Sequence, residues 1–223
     1  SNMQWAVISC LLALYIAFSS FYTIDTSKEG VVTRFGAFHK IAAPGPHLKI
    51  PFGIDDVLPI PVTRIHEEAF GFRKEHGKGQ SKLSTQMSRL ESLMLTGDLN
   101  VASVLWVLQY KISDPKKFVF NARNVQKNIR DTSISVMRRV VGDKLVSDVL
   151  TKDRVKIAQM AKKLTQEALN TFDMGIQITK INLQGVTPPE KVRPAFNEIN
   201  IAKQEKEQAI NQAKSVYNKI IPE

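Results

Sequence analysis

Three rhythms of apolar and polar residues follow one another along this chain. From Trp5 to Ile24 nothing is charged, the only polar groups are hydroxyls and a thiol, and the first charged side chain is Asp25. About twenty such residues, rising ~1.5 Å each, match a ~30 Å hydrocarbon layer. The run therefore predicts a membrane-spanning helix over 5–24, with Trp5, Tyr15 and Tyr22 as amphipathic rings. A secretory signal would carry a basic segment ahead of the apolar run, and a core helix would carry a polar stripe; the sequence has neither.

Residues 25–113 then read as short strands cut by turns. Glu29–Phe35, His47–Ile50 and Asp55–Ile60 alternate between Pro44-Gly45-Pro46 and Pro51-Phe52-Gly53, and Thr63–Phe72 continues the series. The polar stretch 71–88 reads as a surface loop. Leu90–Leu95 and Asn100–Ile112 are the strongest strands. In the second, Val104, Trp106, Leu108, Tyr110 and Ile112 share one face while Leu105 and Val107 make the other apolar, which predicts a central strand covered on both sides.

From Asp114 the period changes to that of helices. Asp114-Pro115 is an N-cap followed by proline at the first helical position. Val125, Ile129, Thr132, Val136 and Val140 form one stripe ending near Gly142, and Ile157, Ala161, Leu164, Ala168 and Phe172 form another ahead of Gly175. Gly175–Gln184 returns to strand, but Ile176 and Ile178 differ in parity from Ile181 and Leu183, which suggests a bulge or two-sided burial. Thr187-Pro188-Pro189-Glu190 then reads as a capping box opening a helix of more than thirty residues. Its apolar positions step by about 3.5, through Val192, Ala195/Phe196, Ile199, Ala202, Ala209/Ile210, Ala213, Val216/Tyr217 and Ile220. That period predicts a seam for a partner helix in a left-handed coiled coil, with packing on its own domain as the alternative. The helix has no C-cap and is expected to run on.

Charge and chemistry narrow the reading further. The net charge of +10 is local: 116–163 holds thirteen Lys/Arg against four acids. These bases read either as the solvated faces of two helices or as a match for anionic headgroups. Nucleic-acid binding would need aromatic residues among them, and only Phe118 and Phe120 are there. The single cysteine, Cys10, excludes an intrachain disulfide and a cysteine-based zinc site. No nucleophile elbow, metalloprotease pair, phosphate loop or dinucleotide fingerprint occurs. His39, His47, His66 and His76 are scattered, and Asp55-Asp56 and Glu67-Glu68 are adjacent acids that a strand would point to opposite faces. The expectation is a non-enzymatic protein without catalytic residues, cofactor or metal.

The ordered blocks carry a resemblance. Gly30-Val31-Val32-Thr33-Arg34-Phe35-Gly36 and Pro44-Gly45-Pro46-His47-Leu48-Lys49-Ile50-Pro51-Phe52 resemble the opening of the SPFH (band 7) domain. Phe70–Arg73, Glu91–Asp98, Gln109–Pro115, Asp173–Ile176, Pro188–Val192 and Ala195-Phe196 are similar to its HflK branch, so the likeness covers residues 5–223. Leu99 departs from it, standing where an acid is common, and so does Pro46, where leucine is usual.

The resemblance implies an α+β SPFH domain between an N-terminal transmembrane helix and a long C-terminal coiled-coil-type helix. The division it suggests is 1–4 as a tag remnant or leader, 5–24 as the span, 25–113 as a mostly β first subdomain, 114–187 as an α+β second subdomain, and 188–223 as a truncated oligomerisation helix. It further implies a bacterial inner-membrane protein with its domain on the periplasmic side, although Lys28, Arg34 and Lys40 after the span, read literally, favour the cytoplasm. Implied partners are an HflC-like sister subunit, an FtsH-type protease and membrane lipids, in a high-order ring or cage without nucleic acid. The alternative is a stomatin- or prohibitin-like microdomain organiser with no protease client. The candidate sites are the seam Val192, Phe196, Ile199, Ala202, Ala209, Ala213, Val216 and Ile220, and a membrane-interface loop at Ile50, Pro51, Phe52 and Ile54, for which a buried turn is the alternative.

Overall fold

The computed structural model describes Trp5 and residues 18–72, 90–121, 123–150, 153–188 and 192–220. The elements with described bounds are, in order, β1 (Phe21–Ile24), β2 (Lys28–Arg34), β3 (Ala37–Ala42), β4 (Gly45–Leu48), β5 (Asp55–Pro61), β6 (His66–Phe70), β7 (Leu93–Leu95), β8 (Val101–Ile112), α1 (Pro115–Phe120), α2 (Val125–Gly142), α3 (Val146–Leu150), α4 (Arg154–Thr171), β9 (Ile176–Thr187) and α5 (Arg193–Ile220). The α+β class follows directly.

The apolar run does not stay helical to its expected end. Phe21–Ile24 form β1, paired antiparallel with β4 from Phe21↔Leu48 to Ile24↔Gly45. A continuous apolar run hides this switch, because β-branched and aromatic residues suit strand and lipid alike. Among the described residues no helix is long and apolar enough to cross a membrane, and 6–17, which carry most of the expected span, lie outside them.

The first half is built of small antiparallel sheets: β1 with β4, and β3-β2-β5. Ile24, Val32 and Ala42 pack beneath them. Val31 and Ile60 meet Ile112 together with Phe118 and Val119, joining these sheets to β8 and α1.

β8 organises the second half. β9 runs along one side of it, and β6 and β7 share the other, all antiparallel. Two register shifts, between Leu105/Trp106 and between Gln109/Tyr110, are bulges that account for the parity change read in β9. The helices cover one face of this sheet. Ala102, Val104, Trp106, Leu108 and Tyr110 belong to the core beneath them. Trp106 stacks on Phe70 at 4.6 Å and donates its indole N–H to Ser133 Oγ at 3.1 Å. The other face of β8 is not covered as its composition suggests: Val107 is buried, but Leu105 is partly exposed and Val101 is open to solvent.

Local signals hold at α1, where Asp114 accepts from the Lys117 amide and Pro115 opens the helix. The buried stripes run in a slightly different register from the one expected. In α2 they pass through Val125, Ile129, Ser133, Met137, Val140 and Val141, and in α4 through Ile157, Ala161, Thr165 and Leu169. Small hydroxyl residues sit at the centre of each stripe, which apolarity alone does not show. At the edge of β9 the Gln166 side chain accepts from the Ile178 amide at 2.7 Å and donates to the Ile176 carbonyl at 3.0 Å. Thr187, expected to cap the last helix, is instead the last residue of β9, and α5 begins at Arg193; residues 189–191 of the expected capping box lie outside the described residues.

Candidate membrane and assembly surfaces

The residues expected at a membrane interface belong to a tip where four chain segments meet. Phe21 faces Leu48 across β1 and β4, and the Lys49 amide donates to Ser20. Ile50 and Asp55 close the turn between β4 and β5, and the Phe35 amide donates to the Ile54 carbonyl. At this tip Phe18, Phe21, Phe35, Leu48, Ile50 and Phe52 are exposed, Phe35 at 79% and Phe52 at 69%. Of the four nominated residues, Ile50 and Phe52 project, Ile54 is half-buried, and Pro51 is buried and cannot form part of such a surface. Sequence reading missed Phe35; the available signal was an aromatic ring inside the Arg34-Phe35-Gly36 turn.

Backbone geometry sets these rings apart. Phe35 has φ of 50° and Phe52 of 66°, a region that bulky residues seldom occupy and that costs on the order of 1–3 kcal/mol. The tip is fastened by Asp55, whose carboxylate accepts from Arg34 Nε at 2.8 Å, Arg34 Nη2 at 3.1 Å and the Ile50 amide at 3.0 Å. The Arg34 hydrogen bond, then that amide, hold the Asp55 carboxyl down to about 2, and Arg34 is raised in turn. A lowered carboxyl contributes stability that is present above its unfolded value of about 4 and is lost as the pH falls through about 2. The melting temperature of the protein is therefore expected to exceed that of Asp55→Asn at pH 5 and to converge on it as the pH approaches 2. A gap that does not narrow over that range would rule out the ion pair as its source.

The expected seam lies on α5. Ala202, Ala209, Ala213 and Val216 are exposed there, and Val192 is exposed in the turn just before it. Phe196, Ile199 and Ile220 fall within the helix, where only their backbone is described. No other described element packs along α5.

The paired acids separate as strand geometry requires. Glu67 accepts from Gln109, while Glu68 accepts from Gln126 on α2. Arg130 donates to both Glu91 oxygens and to the Ala69 carbonyl, and its guanidinium lies 4.8 Å from the Phe70 ring centre. Lys117 similarly pairs with Asp173. These two of the thirteen bases therefore stabilise the fold rather than face a partner. His66 stacks on Tyr110 at 5.2 Å beside an open groove of about 570 Å3. Burial, then the charge of Arg64, lowers the His66 pKa, and burial pushes Tyr110 up to about 12. Among the described residues no three His, Cys, Asp or Glu side chains gather to hold a metal ion.

The described residues thus present a strand-built body, an exposed apolar tip and an exposed helix α5. The chain belongs to the SPFH domain / Band 7 family, whose pattern matches residues 22–215. Within that family its relatives are HflK proteins. It is 40% identical to Protein HflK of Treponema pallidum (strain Nichols) over 201 residues, 89% of this chain and 61% of that one. It is 30% identical to Protein HflK of Borreliella burgdorferi, covering 97% of this chain and 68% of the relative. It is also 30% identical to the Modulator of FtsH protease HflK of Escherichia coli (strain K12), covering 97% of this chain and 46% of the relative. The chain thus spans between about half and two thirds of the length of these relatives.

Proposed function

We propose that this chain is a membrane-anchored scaffold subunit that modulates an FtsH-type protease by governing substrate access, without catalysing a reaction itself. The observation that carries this reading is the pair of unpartnered surfaces at separate parts of the fold: the apolar tip adjoining the 5–24 segment, and α5. The tip suits the outer edge of a lipid layer, with Phe35 and Phe52 as its deepest groups. The seam on α5 suits a neighbouring helix, so that copies or a sister SPFH subunit of the HflC type assemble laterally into a ring or cage. The relative named as a modulator of FtsH protease supports the choice of client. The body would then lie on the periplasmic face of a bacterial inner membrane.

Purification from native membranes in mild detergent tests this. An FtsH-type protease and a second SPFH protein are expected to co-elute with the chain in a large particle. A particle containing neither would leave the lipid-organiser reading in its place.

A further inference from the structure

Among the described residues β9 is an edge strand, paired with β8 alone. Register identifies its outward backbone groups. Ile178, Ile181 and Leu183 stand opposite Tyr110, Leu108 and Trp106, which alternate along β8, so the three share one side. Gln166 bonds the Ile178 amide on the side away from β8, and Ile181 and Leu183 therefore turn their N–H and C=O groups the same way. No described group answers them there. The edge is flanked by α4, on which Arg154, Ala158, Lys162 and Gln166 recur every fourth residue and share a face. The helix from Arg154 to Gln166 rises ~18 Å and the strand from Gln177 to Leu183 ~20 Å, so face and edge run side by side. Between them lies a groove of about 550 Å3, walled by Arg154, Ala158 and Lys162 on α4 and by 179–183 on β9.

We propose that this groove binds an extended, acidic segment of a partner polypeptide, added to β9 as a further strand. The inference goes beyond the scaffold reading and does not depend on a protease client. Three observations select this occupant. Ile181 and Leu183 offer the alternating donors and acceptors that an extended backbone matches. The groove is also lined by three cations, Arg154, Lys162 and Lys180, and by no acid. Arg154 Nη2 donates to the Leu150 carbonyl at 2.9 Å, but its Nε is buried with no partner among the described residues. Lys162 and Lys180 are exposed and have no acid partner among them either. Finally, Val155, 68% exposed, and Ala158 make the α4 wall partly apolar, whereas Lys180 lies on the open side of the sheet with Gln109 and Asn182. Successive side chains of a strand point to opposite faces, so a guest alternating apolar and acidic residues sets the first kind against α4 and the second beside Lys180. Gln166 already holds the rungs at Ile176 and Ile178, which suits the open stretch to a short guest rather than to continuous pairing between strands of two copies.

The test uses the full chain in lipid nanodiscs and a short fluorescent peptide that alternates valine and glutamate. Binding is expected by anisotropy, with slower amide exchange across 179–183. The same peptide with lysine in place of glutamate should not bind. Nor should one N-methylated throughout, which lacks the donors that strand addition needs. Lys162→Glu and Lys180→Glu change exposed side chains, so each should keep the melting temperature and raise the Kd of the glutamate peptide about tenfold. A methylated peptide that binds as well as its parent would make the groove an anion site without strand pairing and overturn the inference. Absence of binding, or equal binding of the lysine peptide, overturns it too. A smaller particle from Lys180→Glu, with no peptide bound by the parent chain, would give the groove to a second copy and likewise overturn it.

Discussion

Truncating Trp106 to alanine is expected to destabilise the fold by about 3–5 kcal/mol, the usual loss for a fully buried aromatic residue. The ring is 0% exposed and lies parallel to Phe70, with an interplanar angle of 3°. Removing it leaves a cavity, and the stack itself is worth roughly 0.5–1.5 kcal/mol beyond the area it buries. The Ser133 hydroxyl, 1% exposed, also loses its indole partner. Against a total stability of about 5–15 kcal/mol, such a loss is a large fraction of what holds β6, β8 and α2 together. Urea unfolding of the detergent-solubilised protein checks it through a lower midpoint. Trp106→Phe, which keeps the stack but loses the N–H, should fall between the two. An alanine variant within 1 kcal/mol of the parent would show that the Phe70–Trp106–Ser133 contact is not central to the fold.

The second large effect concerns the tip. A bimane label at Phe52→Cys, in the full chain with Cys10→Ser reconstituted into vesicles, is expected to be quenched several-fold by brominated lipid. The same label at Ser135→Cys, on the exposed face of α2, should keep its emission. Burying one phenylalanine ring contributes about 1.5–3 kcal/mol, or roughly tenfold to a hundredfold in partitioning. Phe35→Asp should therefore reduce the quenching at Phe52, since the two turns are tied through the Ile54 carbonyl. Equal emission from the labels at positions 52 and 135 would put the tip in water and remove it from the membrane surface.

Much of this fold was legible because short-range rules act on few residues. Asp114-Pro115 specifies its own helix start, and the parity change after Ile178 signals the bulges without knowledge of the partner strand. The failures have physical causes. Phe21–Ile24 continue an apolar run whose change from helix to strand depends on β4, more than twenty residues further on. Thr187 looks like a cap until the length of β9 is known, because pairing with Ser103 takes it into the strand. Ser133 and Thr165 occupy core positions that hydropathy assigns to their neighbours. At the candidate sites, Ile50 and Phe52 could be nominated from the turn, but Phe35 joins them only through a contact between two hairpins. The open face of β8 was legible only in part: Leu105 and Val107 showed that β8 has two apolar faces, and the fold leaves Leu105 partly exposed and Val101 exposed.

Gln166 bears on a hazard of crowding. Where copies of a protein meet at high local concentration, an open strand edge invites indefinite sheet growth. At the leading end of β9 the side-chain amide of Gln166 answers both the Ile178 amide and the Ile176 carbonyl, as a neighbouring strand would. The edge is plugged from within its own chain at that point. Neighbours are thereby steered toward contacts between side chains, which can be finite in number and reversible, and away from backbone pairing.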